Sequence, residues 1–173
     1  VGKVRRNGCL TQLAYYMKDA AVCDKVDDVD YRDSCLLEVV ETMNYTDVTV
    51  CERFTSERSR NICYGHVVNV TAIRGDYATC ESIAVDKYRE LCLADVAPTM
   101  KSTDTCDQIT SEDMRDRCLA GVAPVVEDVS ICENIQSDDP PYNYRSTCFT
   151  EVAHATEDES VCASIEDVDE RAV

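Results

Sequence analysis

The sequence predicts an all-α protein in which helical hairpins repeat along the chain, are stapled by disulfides and stack as an α-solenoid. Twelve cysteines recur at regular spacing, and two different segments alternate around them. Five Gly and four Pro are too few for the many tight turns of a sandwich or barrel. We therefore expect residues 1–173 to form a single repeat domain of about six helix pairs, which starts and ends in half-units.

The first repeated segment surrounds every second cysteine and is called helix B here. Apolar residues one, four and five positions after the cysteine place one stripe on a helix. An arginine precedes the cysteine by three residues in every repeat: Arg6, Arg32, Arg60, Arg89, Arg115 and Arg145. An aliphatic residue follows it by four: Leu13, Val39, Val67, Val96, Val122 and Val152. Pro98 and Pro124 directly follow Val-Ala and predict the end of two B helices.

The second repeated segment surrounds the other six cysteines and is called helix A. Five of its six repeats open with Asp four residues before the cysteine, which suits a helix N-terminus. Thr49 with Glu52, and Ser130 with Glu133, fit a capping box. A large apolar residue follows the cysteine by three: Val26, Phe54, Ile83, Ile109, Ile135 and Ile165.

The repeating unit is thus helix A, an acidic loop, helix B and a second loop. Its period is about 27 to 28 residues, counted from Arg6 to Arg171. Each helix is expected to span about 8 to 10 residues, which is too short for stability in isolation. Packing between neighbours and covalent ties must therefore stabilise the fold.

The cysteine spacing indicates disulfides rather than metal binding. No two cysteines are closer than twelve residues, and the chain has only two His. Structural zinc sites bring two ligands within about two to four residues of each other, so we expect no metal and no cofactor. An even number of regularly spaced cysteines predicts a disulfide framework, an oxidising compartment and hence an extracellular or cell-surface protein.

Two local pairings of the cysteines are compatible with the spacing. Joining helix B to the next helix A uses all twelve, and we favour it for that reason: Cys9–Cys23, Cys35–Cys51, Cys63–Cys80, Cys92–Cys106, Cys118–Cys132 and Cys148–Cys162. Joining helix A to its own helix B has the more constant spacing: Cys23–Cys35, Cys51–Cys63, Cys80–Cys92, Cys106–Cys118 and Cys132–Cys148. The second pairing leaves Cys9 and Cys162 over.

In the second pairing the two unpaired thiols, Cys9 and Cys162, are available for contacts between copies of the chain. The sequence opens on helix B and closes just after helix A, so its ends are complementary halves of one unit. We expect copies of the chain to join head-to-tail, and a contact of this kind that does not close gives a filament. The alternative is that these residues are a fragment of a longer repeat protein. Numbering from Val1 is typical of a mature or trimmed chain.

Two N-glycosylation sequons begin at Asn44 and Asn69. Both lie between helix B and the next helix A, in the two longest of these connections. Extra loop length beside a sequon suits a sugar held clear of the helices. We therefore expect N-linked glycans at both positions.

No residue pattern predicts an enzyme. Nucleophile motifs, HExxH and glycine-rich phosphate loops are lacking, and His66 and His154 are expected to be packing or surface residues. The acidic turns at residues 27–30 and 166–169 lack the glycine and terminal Glu of an EF-hand loop. We expect them to pair with the repeated arginines. The insertion at residues 138–142 lengthens one loop and is expected to be tolerated at the surface.

The net charge of the chain argues against two classes of partner. A net charge of −17 argues against nucleic acid and against anionic lipid. No apolar stretch reaches the length of a membrane span, so we expect no direct membrane insertion.

Cysteines set in Cys-Glu-x-Ile and Arg-Asp-x-Cys segments resemble the cysteine-bearing helical hairpin repeats of exported prokaryotic proteins, especially archaeal ones. The resemblance covers nearly the whole chain and implies a secreted helical array, but no active site carries over. In architecture it is similar to tetratricopeptide solenoids, without their signature. We predict a glycosylated structural subunit of an extracellular filament or cell-surface layer. The alternative is an extracellular binding or adhesion module that uses one face of the solenoid.

Overall fold

A computed structural model describes residues 2–137 and 142–165, which are helical with no strand, as the sequence predicts. The predicted B helices are six long helices. Their bounds are α1 Gly2–Met17, α2 Val29–Met43, α3 Glu57–Arg74, α4 Asp86–Met100, α5 Glu112–Val126 and α6 Tyr144–Thr156. The predicted A helices are short and mostly of the 3₁₀ type. They span Ala20–Lys25, Val48–Arg53, Tyr77–Ser82, Cys106–Gln108, Ser130–Glu133 and Glu159–Ser164.

The uniform helix length expected from the sequence is wrong. Long helices of 13 to 18 residues alternate with short helices of 3 to 6. Pro98 and Pro124 do not end their helices but lie inside α4 and α5. The true ends of the long helices are residues in the left-handed conformation, most of them not glycine: Lys18, Asn44, Gly75, Lys101, Glu127 and Glu157.

The repeated Asp four residues before the short-helix cysteine is confirmed as a cap. The carboxylate of Asp19 accepts from the amide of Ala21 at 2.8 Å, and Asp47 accepts from the amide of Thr49 at 2.9 Å. Asp76, Asp128 and Asp158 do the same. The predicted capping boxes at Thr49 and Ser130 are wrong. The backbone amide of each residue donates a hydrogen bond to the carboxylate of the Asp two positions earlier.

The disulfides follow the second of the two pairings. Each described bridge joins a short helix to the long helix that comes next, with Cα atoms 5.3 to 5.7 Å apart: Cys23–Cys35, Cys51–Cys63, Cys80–Cys92, Cys106–Cys118 and Cys132–Cys148. The favoured pairing, which joined Cys9 to Cys23 and Cys148 to Cys162, is wrong. The short loop inside each hairpin brings the cysteines of one hairpin together, whereas the left-handed cap after each long helix lies nine or more residues beyond its cysteine. All ten bonded cysteines are fully buried.

The long helices pack in chain order, each against the next. One buried cluster runs through all of them and contains the disulfides together with the aliphatic residue four positions after each bonded long-helix cysteine. Polar ties join consecutive repeats as well. Arg117 in α5 binds Asp95 in α4 at 2.8 Å, and Arg53 binds Asp24 in the preceding short helix at 2.7 Å.

The repeated arginine has two kinds of partner. Arg60, Arg89 and Arg145 donate to the carbonyl three residues after the short-helix cysteine of their own hairpin, at 2.9 to 3.5 Å. Pairing with the acidic turn, as expected, occurs between Arg6 and Asp27 at 2.9 Å. In these three hairpins the arginine therefore holds the two helices together, because it satisfies a carbonyl at the end of the short helix.

Candidate functional site

The first long helix, α1, differs from the other five in what covers it. Each of the others is bonded to a short helix that precedes it, and their cysteines are fully buried. Cys9 of α1 has no disulfide partner among the described residues and is exposed. α1 packs on α2 and on the short helix Ala20–Lys25, which leaves the side that carries Cys9 uncovered.

The uncovered side of α1 is apolar. Leu13 lies one helical turn after Cys9 and is 44% exposed. The equivalent valines in the other repeats are 0 to 1% exposed: Val39, Val67, Val96, Val122 and Val152. Tyr16 and Met17 follow on the next turn and are 80% and 58% exposed. We call the surface formed by Cys9, Leu13, Tyr16 and Met17 the α1 face.

The last described short helix, Glu159–Ser164, is uncovered in the complementary way. It packs on α6, but no long helix follows it among the described residues. Cys162 is exposed and unbonded there, and Val161 and Ile165 are only partly buried. The residues equivalent to Ile165 in the other five repeats are 0 to 2% exposed.

The region around α1 and the region around the short helix Glu159–Ser164 carry opposite charge. Residues 1–18 contain four basic residues and no acidic one, although the whole chain has a net charge of −17. Residues 146–165 contain four acidic residues and no Lys or Arg. The side chain and amide of Ser160 donate to the Asp158 carboxylate and hold its pKa below the usual range, so this acidic end stays charged. Opposite charge on two separate surfaces favours their association.

The two predicted glycosylation sites lie in different structures. Asn44 is exposed at the C-terminal cap of α2, where the chain enters a loop, as expected. Asn69 is exposed but lies inside α3, so its expected loop position is wrong. The extra length of this repeat is taken up by helix, since α3 continues to Arg74. Thr71, the third residue of that sequon, is fully buried in the folded chain.

A groove of about 450 Å³ crosses α3, α4 and α5. Small residues make room for it, notably Ala72, Ala94 and Gly121. The ion pair between Asp95 and Arg117 lies along its wall. Its lining is mainly apolar with one charged pair, which is a common composition for a binding surface.

The other residues singled out from the sequence form no chemical site. His66 is half-buried and His154 is exposed, on different long helices. Asp28 caps α2 through the amides of Asp30 and Tyr31, so the acidic turn at residues 27–30 is engaged in helix capping. The turn at residues 166–169, Arg171 and the insertion at 138–141 lie outside the described residues. Within residues 2–137 and 142–165 no cluster of three or more side chains is arranged to hold a metal ion.

Sequence reasoning missed a row of polar residues two positions before each long-helix cysteine. These are Asn7, Asp33, Asn61, Glu90, Asp116 and Ser146. The side chains of Asp33, Glu90 and Asp116 are buried and accept from backbone amides in the segment between a short helix and the next long helix. A polar residue at this place in all six repeats, one position after the repeated arginine, was the available signal.

None of the described helices combines the length and the apolar character needed to cross a bilayer. No protein-family model, curated protein or solved structure matches the chain.

Proposed function

We propose that this chain is a structural subunit of an extracellular filament or cell-surface layer and that its copies join head-to-tail. The observation that carries the proposal is the opposite charge of two regions that are far apart in the serial packing of the long helices. Residues 1–18 contain four basic residues and no acidic one, and residues 146–165 contain four acidic residues and no Lys or Arg. Opposite charge favours contact between one region in one copy and the other region in the next copy.

Serial packing supports the same proposal. Each long helix packs against the next, and consecutive repeats are joined by ion pairs, so we infer an α-solenoid. In such an array every repeat contacts mainly its neighbours. Addition of a further repeat from another molecule continues the packing and needs no new type of contact.

The proposed location follows from the chemistry of the cysteines. Five disulfides persist in an oxidising environment and are rare in reducing ones. We therefore propose that the chain is located outside the cell, with N-linked glycans at Asn44 and, where the sugar is added before α3 folds, at Asn69. A structural role in an exported array also agrees with the resemblance to cysteine-bearing helical repeats of exported prokaryotic proteins.

Negative-stain electron microscopy tests the proposal directly. At low ionic strength we expect fibres, because the basic region before residue 18 and the acidic region of residues 146–165 attract one another. At about 1 M salt the screening length falls to roughly 3 Å, and non-covalent fibres are expected to shorten. Isolated short particles under both conditions, at concentrations that match the native source, would contradict the filament.

The groove across α3, α4 and α5 favours a second candidate function, an extracellular binding or adhesion module. In that case the chain remains monomeric and the groove holds a segment of a partner protein. Gly121→Leu distinguishes the two candidates, because a larger side chain at this position would fill the groove. Even an added Cβ would lie 3.0 Å from Cγ of Pro98. The filament proposal expects fibres of normal length from this variant.

A further inference from the structure

Asn69, the acceptor residue of the second sequon, lies on the wall of the groove that crosses α3, α4 and α5. Ala72 and Ile73 follow it by three and four residues, so the three residues share one side of α3. The side chain of Asn69 is exposed and can carry a substituent along this side of the helix. Asn44, the acceptor of the first sequon, does not line the groove.

Thr71, the third residue of the same sequon, is fully buried, and its hydroxyl makes no hydrogen bond with the described residues. A buried hydroxyl without a partner lowers the stability of a fold. Thr156 has the equivalent place in α6, and its hydroxyl donates to the carbonyl of Val152 at 2.9 Å. In the other four long helices the equivalent residue is apolar: Met17, Met43, Met100 and Val126. Packing at this place therefore does not require the Thr71 hydroxyl, whereas a sequon does.

We infer that Asn69 carries an N-linked glycan whose first sugars lie in this groove and pack against α4 and α5. The inference rests on the extracellular location in the proposed function, and it identifies the ligand of the groove as a sugar of the same chain. A sugar seated there fills the space that the second candidate function gives to a segment of a partner protein.

The size and the apolar lining of the groove suit a sugar ring. Its volume of about 450 Å³ lies within the range of roughly 300–1,000 Å³ that is typical of small-molecule sites. The C–H groups of a sugar ring pack against apolar side chains, and the groove offers Ala72, Ile73 and Pro98 for this contact. Ile73 is 75% exposed, so a sugar packed on it removes apolar surface from water.

Polar atoms for the sugar hydroxyls lie beside this apolar surface. One carboxylate oxygen of Asp95 binds Arg117 at 2.8 Å, and the other accepts no hydrogen bond from the described residues. The hydroxyl of Thr99 donates to the carbonyl of Val96 at 2.6 Å, which leaves its oxygen able to accept. Asp95 and Thr99 can thus each accept from a sugar hydroxyl, and the other N–H groups of Arg117 can donate to one.

The sugar is attached before α3 folds, because Thr71 is buried in the folded helix. The donor is an oligosaccharide linked to a lipid phosphate. The side-chain amide nitrogen of Asn69 attacks C1 of the first sugar and forms an N–C bond, while the bond between C1 and the phosphate oxygen breaks. The lipid phosphate leaves with the electron pair of that bond, and one amide proton passes to a base. Nothing is oxidised or reduced.

Secretion from a eukaryotic host that attaches high-mannose glycans during synthesis tests the inference. We expect mass spectrometry of peptides to find sugar at both Asn44 and Asn69. An endoglycosidase that cuts between the first and second N-acetylglucosamine then reports how accessible each glycan is. On the folded chain we expect cleavage at Asn69 to be about ten-fold slower than at Asn44, because the sugar must first leave the groove. After reduction and unfolding the two rates should be equal.

Substitutions at exposed positions test the contact without unfolding the chain. Ile73→Ser removes the apolar wall of the groove and should raise the rate of cleavage at Asn69 several-fold. Val29→Ser makes a similar change at an exposed position of α2 that does not line the groove, and it should leave the rate unaltered.

Two substitutions of Thr71 separate the sequon from the fold. Thr71→Ser keeps a hydroxyl and should keep the sugar at Asn69, whereas Thr71→Val should lose it. When made without glycosylation, Thr71→Val should melt no lower than the unglycosylated wild-type chain, because the missing hydroxyl had no partner.

Several outcomes would overturn the inference. These are the lack of sugar at Asn69, cleavage at Asn69 as fast as at Asn44 on the folded chain, and equal effects of Ile73→Ser and Val29→Ser. A lower melting temperature of Thr71→Val would also overturn it, since the hydroxyl would then serve the fold. Electron microscopy of the same preparations keeps the proposed function separate. Fibres with an accessible sugar at Asn69 would reject this inference alone, and a protected sugar without fibres would reject the structural role alone.

Discussion

The carboxylate of Asp33 in α2 accepts a hydrogen bond from the backbone amide of Ser56, the N-cap residue of α3, at 2.8 Å. Its other oxygen accepts from the amide of Thr55 at 3.0 Å. Glu90 and Asp116 bind the matching amides before α5 and α6. A buried carboxylate in one long helix thus holds the backbone of the segment that leads to the next long helix.

Removal of the Asp33 carboxylate is expected to lower the stability of the fold. Asp33→Ala leaves two backbone amides without their charged acceptor, and we expect the free energy of unfolding to fall by about 2–4 kcal/mol. Asp30→Ala, on the exposed side of the same helix, should change it by no more than about 0.5 kcal/mol. Urea denaturation monitored by circular dichroism measures both variants. Equal effects of the two substitutions would show that the buried carboxylate carries no special role.

The internal disulfides should differ sharply from the unbonded thiols in their effect on stability. Replacing Cys51 and Cys63 by Ala opens a loop closed over twelve residues, and we expect a loss of about 3 kcal/mol. Replacing Cys9 and Cys162 by Ser should leave the unfolding of the isolated chain unchanged, since neither is bonded within it. The same denaturation experiment compares the two double variants. A similar loss in both would contradict the assigned pairing.

The repeat pattern alone was sufficient to predict the helical class, the two kinds of helix and the Asp caps, because these depend on local spacing around each cysteine. The helix ends were not predictable. Lys101 and Glu127 adopt a left-handed conformation that their residue types rarely take, whereas Pro98 and Pro124 looked like terminators and are accommodated inside helices. No local signal in the sequence marks these ends.

The disulfide pairing failed for a related reason. The even number of cysteines favoured a pairing that used Cys9 and Cys162 within the chain. An even number says nothing about which cysteines lie close together. The regular separation of twelve residues was the better guide, because it reflects one hairpin shape repeated several times. The α1 face could not be recognised from the sequence, since Leu13 looks like any other residue of its stripe until burial is compared across repeats.

The two sequons should respond differently to folding. Oligosaccharyltransferase should glycosylate Asn44 on the folded chain, because this asparagine is exposed beside a loop. It should not glycosylate Asn69 on the folded chain, since Thr71 of that sequon is fully buried within a helix. The reduced and unfolded chain should accept sugar at both. Mass spectrometry of tryptic peptides measures the occupancy, and modification of Asn69 in the folded chain would contradict this assignment.

The left-handed helix ends offer a gain in stability. Glu127 has a φ of 57°, a conformation that costs a residue with a Cβ more than it costs glycine. We expect Glu127→Gly to stabilise the chain by about 0.5–1 kcal/mol. The converse change, Gly75→Ala, should destabilise it by about 1 kcal/mol, as Gly75 has a φ of 66° and an added Cβ would lie 3.3 Å from Oγ1 of Thr99. Thermal unfolding measures both, and a lower melting temperature for Glu127→Gly would reject the argument.

Stability should decline at alkaline pH through Tyr64. Burial, and then the hydrogen bond to Glu52 and its negative charge, raise the pKa of Tyr64 from 10.0 to about 12. Because the folded chain holds this proton more tightly than the unfolded chain, the contribution is complete below about pH 10 and is lost as the pH rises towards 12. Burial also raises the pKa of Tyr88 and of Tyr144, so they add to the same trend.

Tyr64→Phe should therefore flatten, but not abolish, the loss of stability between about pH 10 and pH 12. Tyr16→Phe is the matched control, since that ring is 80% exposed. Both are best measured by urea denaturation in a background with Cys9→Ser and Cys162→Ser, because free thiolates exchange with disulfides at alkaline pH. A pH profile of Tyr64→Phe identical to that of the background chain would mean that Tyr64 releases its proton equally easily in the folded and unfolded states.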